Sequence, residues 1–405
     1  MSSWRNITVG NLGEVVTGYT PPTKNAEYFG DVYPFITPTD ITIDSRTVQT
    51  ERFLSQEGYE YNKNRLLPPN AVCVTCIASI GKICMTTVPS VTNQQINSIV
   101  VNENKHNPYF VYYLLITKTD VLHSVANKAT TPIVNKSTFA SINVCVPPLQ
   151  TQTQIATFLD RKTEQIDELI RIKERQIELL QEQRTTLINK AVTKGLDPNV
   201  GMKPSDVEWI GEIPAHWKIE KIKHVATLVS EKSTPETDAI KISPENVESE
   251  TGKVLDFYSS YDAVGVKFQD GDVLFNKIRV YLSKVVFAKC DGYSLGEMIV
   301  IRPTLQCMNK YLFYLMLSNC FIEYCDSISY GAKMPRTAVD DILNTKIPIP
   351  LDQEKLQIAN FLDDKTEQID ELIAAEQRKI ERLKEYRQSL ISEAVTGKID
   401  VRNEV

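Results

Sequence analysis

Two stretches of the chain repeat a 3,4-spaced pattern of apolar positions, and this pattern predicts two long coiled-coil helices. In the first, Leu159, Ile166, Leu180 and Leu187 form one series by sevens and Ile170, Ile177 and Ala191 a second. The second stretch gives Leu362, Ile369, Leu383 and Leu390, with Ile373, Ile380 and Ala394. Glu, Gln, Leu, Ile, Lys and Arg dominate both, and Gly and Pro are absent from their interiors. Pro148 and Pro350 stand before the starts, and Gly195 and Gly397 mark the ends. Gln154–Ile170 recurs as Gln357–Ile373 with 15 of 17 positions identical, at an offset of 203 in a chain of 405 residues. The helical stretch 155–192 is roughly 55 Å long at ~1.5 Å rise per residue, which makes it a rigid spacer.

Each seam has two polar interruptions. Arg184 and Arg387 are the same residue at equivalent positions, whereas Lys173 and Glu376 have opposite sign. A centred antiparallel pairing sets Lys173 against Glu376 and lets that ion pair fix the register. The alternative is that both side chains snorkel to solvent.

A globular part precedes each helix, and the two diverge far more than the helices do. Leu66–Cys76 aligns loosely with Val266–Phe275, and each reads as a turn followed by a strand. Asn107–Leu114 matches Asn309–Leu315, a helix that its Asn can cap. Thr131-Pro132 matches Met334-Pro335, and both parts end in a Pro-flanked strand, Ile142–Val146 and Thr345–Ile349. Short strands with one or two helices indicate two domains of one α+β or α/β type. The Pro- and Gly-dense stretch between Gly195 and Trp217 reads as a defined connector. The expected organisation is a globular domain over 1–150, a helix over 151–195, a connector over 196–216, a second globular domain over 217–350, a second helix over 351–397 and a tail over 398–405. The fold class is α+β, two similar globular domains separated by two long antiparallel coiled-coil helices, with a pseudo-twofold internal repeat.

Near-constant helices suit two copies of one partner, and divergent domains suit two different targets. Here the pattern resembles the DNA-specificity subunits of Type I restriction–modification systems. The resemblance covers essentially the whole chain. It is carried by Pro148-Leu149 followed by Gln154-Ile-Ala-x-Phe-Leu-Asp160, by the second copy from Pro350, and by the connector Met202–Trp217. The resemblance implies that the globular parts are target-recognition domains, each reading one half of a split site in double-stranded DNA. The helices would set the gap and dock two methyltransferase subunits, which restriction and translocase subunits then join. It implies no cofactor in this chain. S-adenosylmethionine, ATP and Mg would belong to the partners, and the chain itself would be no enzyme.

Charge bears on that expectation. The net charge is −6; residues 1–150 carry 11 basic and 10 acidic side chains, and residues 198–352 carry 17 and 21. Binding driven by phosphate neutralisation alone should therefore be weak, so the chain needs local basic loops, base-edge contacts or charge lent by a partner. The eight cysteines are scattered, and Cys73-Val-Thr-Cys76 is a lone pair better read as part of a buried strand than as a metal site. The start lacks an apolar core of signal-peptide length, and no run approaches the ~18 apolar residues of a membrane span. A cytoplasmic protein without membrane partners is expected.

No catalytic centre stands out. Asn107-Pro-Tyr-Phe110 resembles the Asn-Pro-Pro-Tyr/Phe loop of adenine methyltransferases but lacks the second Pro, and no glycine-rich cofactor loop follows a strand. The four histidines have no metal-ligand spacing. For base reading, Arg, Lys, Asn and Gln on loops with nearby aromatics are the candidates. In the first domain these are Lys82, Asn93, Gln94, Gln95, Lys128, Thr130 and Thr131. In the second they are Lys277, Arg279, Tyr281 and Lys284, then Tyr330, Lys333 and Arg336. Arg279 and Arg336 suit guanine, and Asn93, Gln94 or Gln95 suits adenine. An ordinary solvated loop is the competing reading for each. The competing functions are a stand-alone DNA adenine methyltransferase and a coiled-coil adaptor with no nucleic-acid role.

Overall fold

The computed structural model describes residues 4–42, 45–127, 130–236, 239–255, 264–401 and 404. The chain forms two compact units: Met1–Ile172 with Lys379–Val405, and Lys173–Arg378. Each unit therefore contains one globular domain and half of each long helix. The helices run Leu149–Lys194, 46 residues, and Asp352–Val395, 44 residues.

Within each unit the two helix halves run antiparallel. In the second unit Lys173 Nζ lies 2.9 Å from Glu376 Oε2 and Arg184 Nε lies 3.2 Å from Asp370 Oδ1, so one helix advances as the other retreats. In the first unit Arg387 Nε lies 2.9 Å from Asp167 Oδ1. The seam residues lie inward. Leu159, Ile166, Ile170, Leu362, Ile369 and Ile380 are buried, and Ile177, Leu180, Ile373 and Leu383 are half-buried. The arginines that interrupt each seam are thus partners of aspartates on the facing helix. Each helix ends on a glycine with left-handed backbone, Gly195 at φ +75° and Gly397 at φ +71°. A Cβ there would also meet the ring of Trp217 at 3.2 Å or of Trp4 at 2.7 Å, so only glycine fits.

The first globular domain has a four-stranded antiparallel sheet in the order Gly13–Thr17, Ile96–Val101, Val72–Thr75, Ile83–Met85. A smaller sheet orders Phe53–Leu54, Phe29–Ile36 and Val91–Thr92, the last pair parallel. Arg5–Thr8 pairs with Asn143–Val146. In the second domain the large sheet repeats that order as Ala226–Val229, Met298–Pro303, Val273–Asn276, Val285–Phe287. Its smaller sheet has four strands, Lys232–Ser233, Gly265–Phe268, Gly292–Ser294 and Lys241–Ile242, the last pair again parallel. Lys218–Lys221 pairs with Lys346–Ile349.

Buried helices fix each domain on its helix pair. Pro108–Ile116 is capped by Asn107, whose Oδ1 accepts from the amides of Tyr109 and Phe110 at 3.0 Å. Its counterpart Asn309 does not cap: it is the first residue of the helix Asn309–Leu317, preceded by a short 3-10 turn. Tyr113 donates its hydroxyl to Asp160 at 2.7 Å and lies 3.1 Å from Thr163 Oγ1. Tyr314 donates to Asp363 at 2.7 Å and lies 3.2 Å from Thr366 Oγ1. Burial pushes both phenols well above their ordinary range. The Asp-x-x-Thr that receives each tyrosine belongs to the repeated helix sequence, so the repeat encodes the joint as well as the seam.

One further reading changes and another gains detail. Residues Gly265–Phe268 form a strand of their own, and the turn lies after them. The connector is built as a hairpin, Met202–Pro204 against Glu212–Pro214. Cys73 lies in the strand Val72–Thr75, and Cys73, Cys76 and Cys84 are buried; desolvation pushes the Cys76 thiol up to about 11. Among the described residues no helix is long and apolar enough to cross a membrane, and no His/Cys/Asp/Glu group is arranged to hold a metal.

Candidate nucleic-acid interface

At one end of the inner strands of each large sheet, three loops join through backbone hydrogen bonds. In the second unit the loop after Val273–Asn276 carries Lys277, Arg279 and Tyr281 and ends at Lys284. Arg279 N–H donates to Pro335 O at 2.7 Å, Thr337 N–H to Lys277 O at 2.9 Å and Lys277 N–H to Glu297 O at 3.2 Å. Tyr330 and Arg336 exchange backbone bonds at 2.9 and 3.0 Å. Both second-domain clusters singled out in the sequence therefore form one surface.

Within that surface the side chains divide. Arg279, Tyr281, Tyr330 and Lys333 are exposed and Arg336 is half-buried. Among the described residues neither Arg279 nor Arg336 has an ion-pair partner. Lys277 is held by Glu297 at 2.9 Å, and Lys284 Nζ donates to Pro244 O at 2.6 Å. Guanidinium groups on a surface that also exposes Tyr281 and Tyr330 can donate bidentately to the O6 and N7 edge of guanine and stack on base or sugar faces.

The first unit uses the same backbone bonds with other residues. Ala78 N–H donates to Pro132 O at 3.1 Å, Val134 N–H to Cys76 O at 2.8 Å and Cys76 N–H to Gln95 O at 2.8 Å. Gln94, Thr130 and Thr131 are exposed. Gln95 is half-buried, and Asn93 is buried: its Nδ2 donates to Gln95 Oε1 and its Oδ1 accepts from Gln95 N–H, both at 3.0 Å. Asn93 thus shapes the loop from within. Lys82 is half-buried, with Nζ donating to Pro38 O at 3.1 Å. Lys128 lies outside the described residues.

The sequence carried no sign of one shared feature. Ala78 at φ +60° and Arg279 at φ +49° are left-handed at corresponding places, as are Gly81 at φ +88° and Ser283 at φ +48°. A left-handed non-glycine residue is strained and persists only where its surroundings hold it. The second loop has one residue more between these positions, which hides the correspondence from a direct alignment.

The chain is similar to two specificity subunits of Methanocaldococcus jannaschii. Against that of Type I restriction enzyme MjaVIII it is 24% identical over 419 residues, covering 99% of this chain and 94% of the relative. Against that of MjaIX it is 26% identical over 424 residues, covering 98% and 94%. Two solved structures share the fold. One is a chain from work on complex assembly and conformational transition of the type I R-M system, with TM-score 0.72, 15% identity and 98% of each chain covered. The other is the HsdS subunit from Thermoanaerobacter tengcongensis, with TM-score 0.54, 16% identity and 98% and 97% covered. The sequence profile of one family matches residues 1–180 and 214–383, and the chain belongs to that family, the Type I restriction modification DNA specificity domain.

Proposed function

We propose that this chain is the DNA-recognition subunit of a Type I restriction–modification complex, and that each globular domain reads one half of a bipartite, asymmetric site in double-stranded DNA. One observation carries the reading. Two units with the same large-sheet order and the same inter-loop backbone bonds present unlike side chains on those loops: Gln94, Thr130 and Thr131 in one, Arg279, Tyr281, Tyr330, Lys333 and Arg336 in the other. A constant frame with variable contacts is what two different half-sites require.

In this reading the two long helices set the distance between half-sites and dock two methyltransferase subunits, with restriction and translocase subunits joining that core. The chain contributes binding and no chemistry. S-adenosylmethionine, ATP and Mg act in the partner subunits, which also supply phosphate contacts that a chain of net charge −6 lacks. The assembly works in the cytoplasm. The test is adenine methylation mapped across a genome with and without this chain. One split motif should vanish on deletion, and replacing residues 1–150 by the corresponding domain of another family member should change one half of it. Change in both halves, or in neither, would refute the assignment.

A further inference from the structure

A second duplication lies inside the globular domains. Ile36-Thr-Pro-Thr-Asp-Ile41 in the first and Ile242-Ser-Pro-Glu-Asn-Val247 in the second form the same turn. Thr37 donates from N–H and Oγ1 to Asp40 Oδ2 at 2.7 and 2.9 Å; Ser243 donates from N–H and Oγ to Asn246 Oδ1 at 3.0 and 2.7 Å. The strand before each turn runs parallel to the strand that leads into the second candidate loop, with Ile36 opposite Thr92 and Ile242 opposite Ser294. Asn93 N–H then donates to Ile36 O at 3.0 Å, and Leu295 N–H to Ile242 O at 2.8 Å.

Each turn is gripped by one lysine. Lys82 Nζ donates to Pro38 O at 3.1 Å and Lys284 Nζ to Pro244 O at 2.6 Å, the middle carbonyl of the same turn in both units. Both lysines sit at the base of the strained loop, where Thr75 N–H donates to Lys82 O at 2.9 Å and Asn276 N–H to Lys284 O at 3.1 Å. The loops differ in length and in nearly every side chain between these points, yet the lysine and its carbonyl stay the same. A residue chosen to read bases in two unlike sites has no reason to make one internal bond in both. We propose that Lys82 and Lys284 are positioning residues: each locks the recognition loop of the large sheet onto the Thr/Ser-Pro turn of the small sheet, so that both sheets offer one rigid face to DNA. This rests on the reading of these loops as the DNA-facing part. An ammonium group joined to a partly buried carbonyl is a charge-assisted hydrogen bond at the loop's hinge, and it restrains left-handed residues that would otherwise relax.

The test uses the full chain assembled with its methyltransferase partner. Lys284→Met should lower discrimination against single-base changes in the half-site read by the second domain by about tenfold, the order of one lost charge-assisted hydrogen bond. The other half-site should be unaffected, and the slope of log K against log salt should be unchanged. Amides of residues 279–283 should exchange faster, and Lys284→Arg should restore both readouts. Lys82→Met should do the same for the first half-site. Should a lysine variant fail to fold, Ser243→Ala with Asn246→Ala releases the turn while keeping Lys284, and the same loss of discrimination is expected. A salt slope reduced by about 0.9 with discrimination intact would identify a phosphate contact and overturn the proposal. Unchanged discrimination and unchanged exchange would overturn it as well. If the unaltered complex recognises no split motif, the fault lies in the DNA-reading assignment beneath it.

Discussion

Arg184 and Arg387 occupy one position of the helix repeat, but the structure gives them unequal work, and their replacement by methionine should show it. Arg184 is buried. Its Nε lies 3.2 Å from Asp370 Oδ1, and its terminal nitrogens donate to Glu250 O at 2.8 Å and Thr251 O at 3.1 Å. The side chains of Arg184 and Asp370 are 9% and 16% exposed, whereas those of Arg387 and Asp167 are 18% and 39% exposed. Methionine keeps most of the arginine stem and removes the charge. Breaking a buried pair costs about 3–5 kcal/mol because a carboxylate is left without its partner. Lys253, 2.9 Å from the other oxygen of Asp370, remains in place, so Arg184→Met should fall at the low end, about 3 kcal/mol. Arg387→Met breaks a half-exposed pair and should cost about 1 kcal/mol. The difference of about 2 kcal/mol is roughly thirtyfold in an opening equilibrium. Because the chain forms two units, one global midpoint would mix them, so the assay is hydrogen exchange in increasing urea, read separately on peptides of each unit. Adding Asp370→Asn to Arg184→Met should return about 1–2 kcal/mol, since it neutralises a largely buried carboxylate left with the half-exposed Lys253 as its one cation among the described residues. Equal costs for the two arginines, or a larger cost for Arg387→Met, would refute the argument from burial.

Two further outcomes follow from the same structure. Arg279→Ala and Arg336→Ala should each relax base preference at one position of the second half-site by about 1–3 kcal/mol, leaving the first half-site untouched, as read by binding to single-base variants of the target. His106 is buried against Gln152, whose Nε2 lies 3.3 Å from His106 Nδ1, and desolvation by burial lowers its pKa. The neutral ring is thus favoured by folding. Its contribution is complete above the unfolded value of about 6.5 and declines as pH falls below that toward the depressed native value. The loss of first-unit stability as pH falls below about 6.5 should therefore be smaller in His106→Gln than in the unaltered chain, read by hydrogen exchange in urea on first-unit peptides.

The long helices were legible because their information is periodic and written in side chains. A 3,4 spacing of Leu and Ile states which face is buried, and one Lys–Glu exchange at the midpoint states direction and register. What could be read about Arg184 and Arg387 was only that they interrupt the seam. Asp370 and Asp167, their partners, stand on the facing helix, and only the antiparallel pairing brings them close. The capping Asn107 was recognisable because the cap bond belongs to a side chain, yet the same reasoning misplaced Asn309, where a 3-10 turn ahead of the helix takes over its start. The connector hairpin was missed because its strands are three residues each and contain proline, below the length at which alternation gives a signal.

The candidate interface was legible only in fragments, and the reason bears on how such a domain works. The bonds that gather its loops run from backbone to backbone: Cys76 to Gln95 and Lys277 to Glu297, Val134 to Cys76 and Thr337 to Lys277, Ala78 to Pro132 and Arg279 to Pro335. A backbone bond places almost no demand on the side chain that projects from it, so cysteine and lysine, or alanine and arginine, fill corresponding positions. The duplicated turn is the exception, since its cap needs Thr or Ser followed three residues later by Asp or Asn, and that pattern was present in the sequence to be found. When the polar backbone of a loop is satisfied by other loops, exposed side chains can be exchanged without leaving a buried donor or acceptor unpaired. The exposed side chains of Gln94 and Arg279 can then be exchanged at little cost in folding, whereas Asn93, turned inward to hold its own loop, is not free in that sense. The divergence that concealed the relation between the two domains is therefore a consequence of the frame they share.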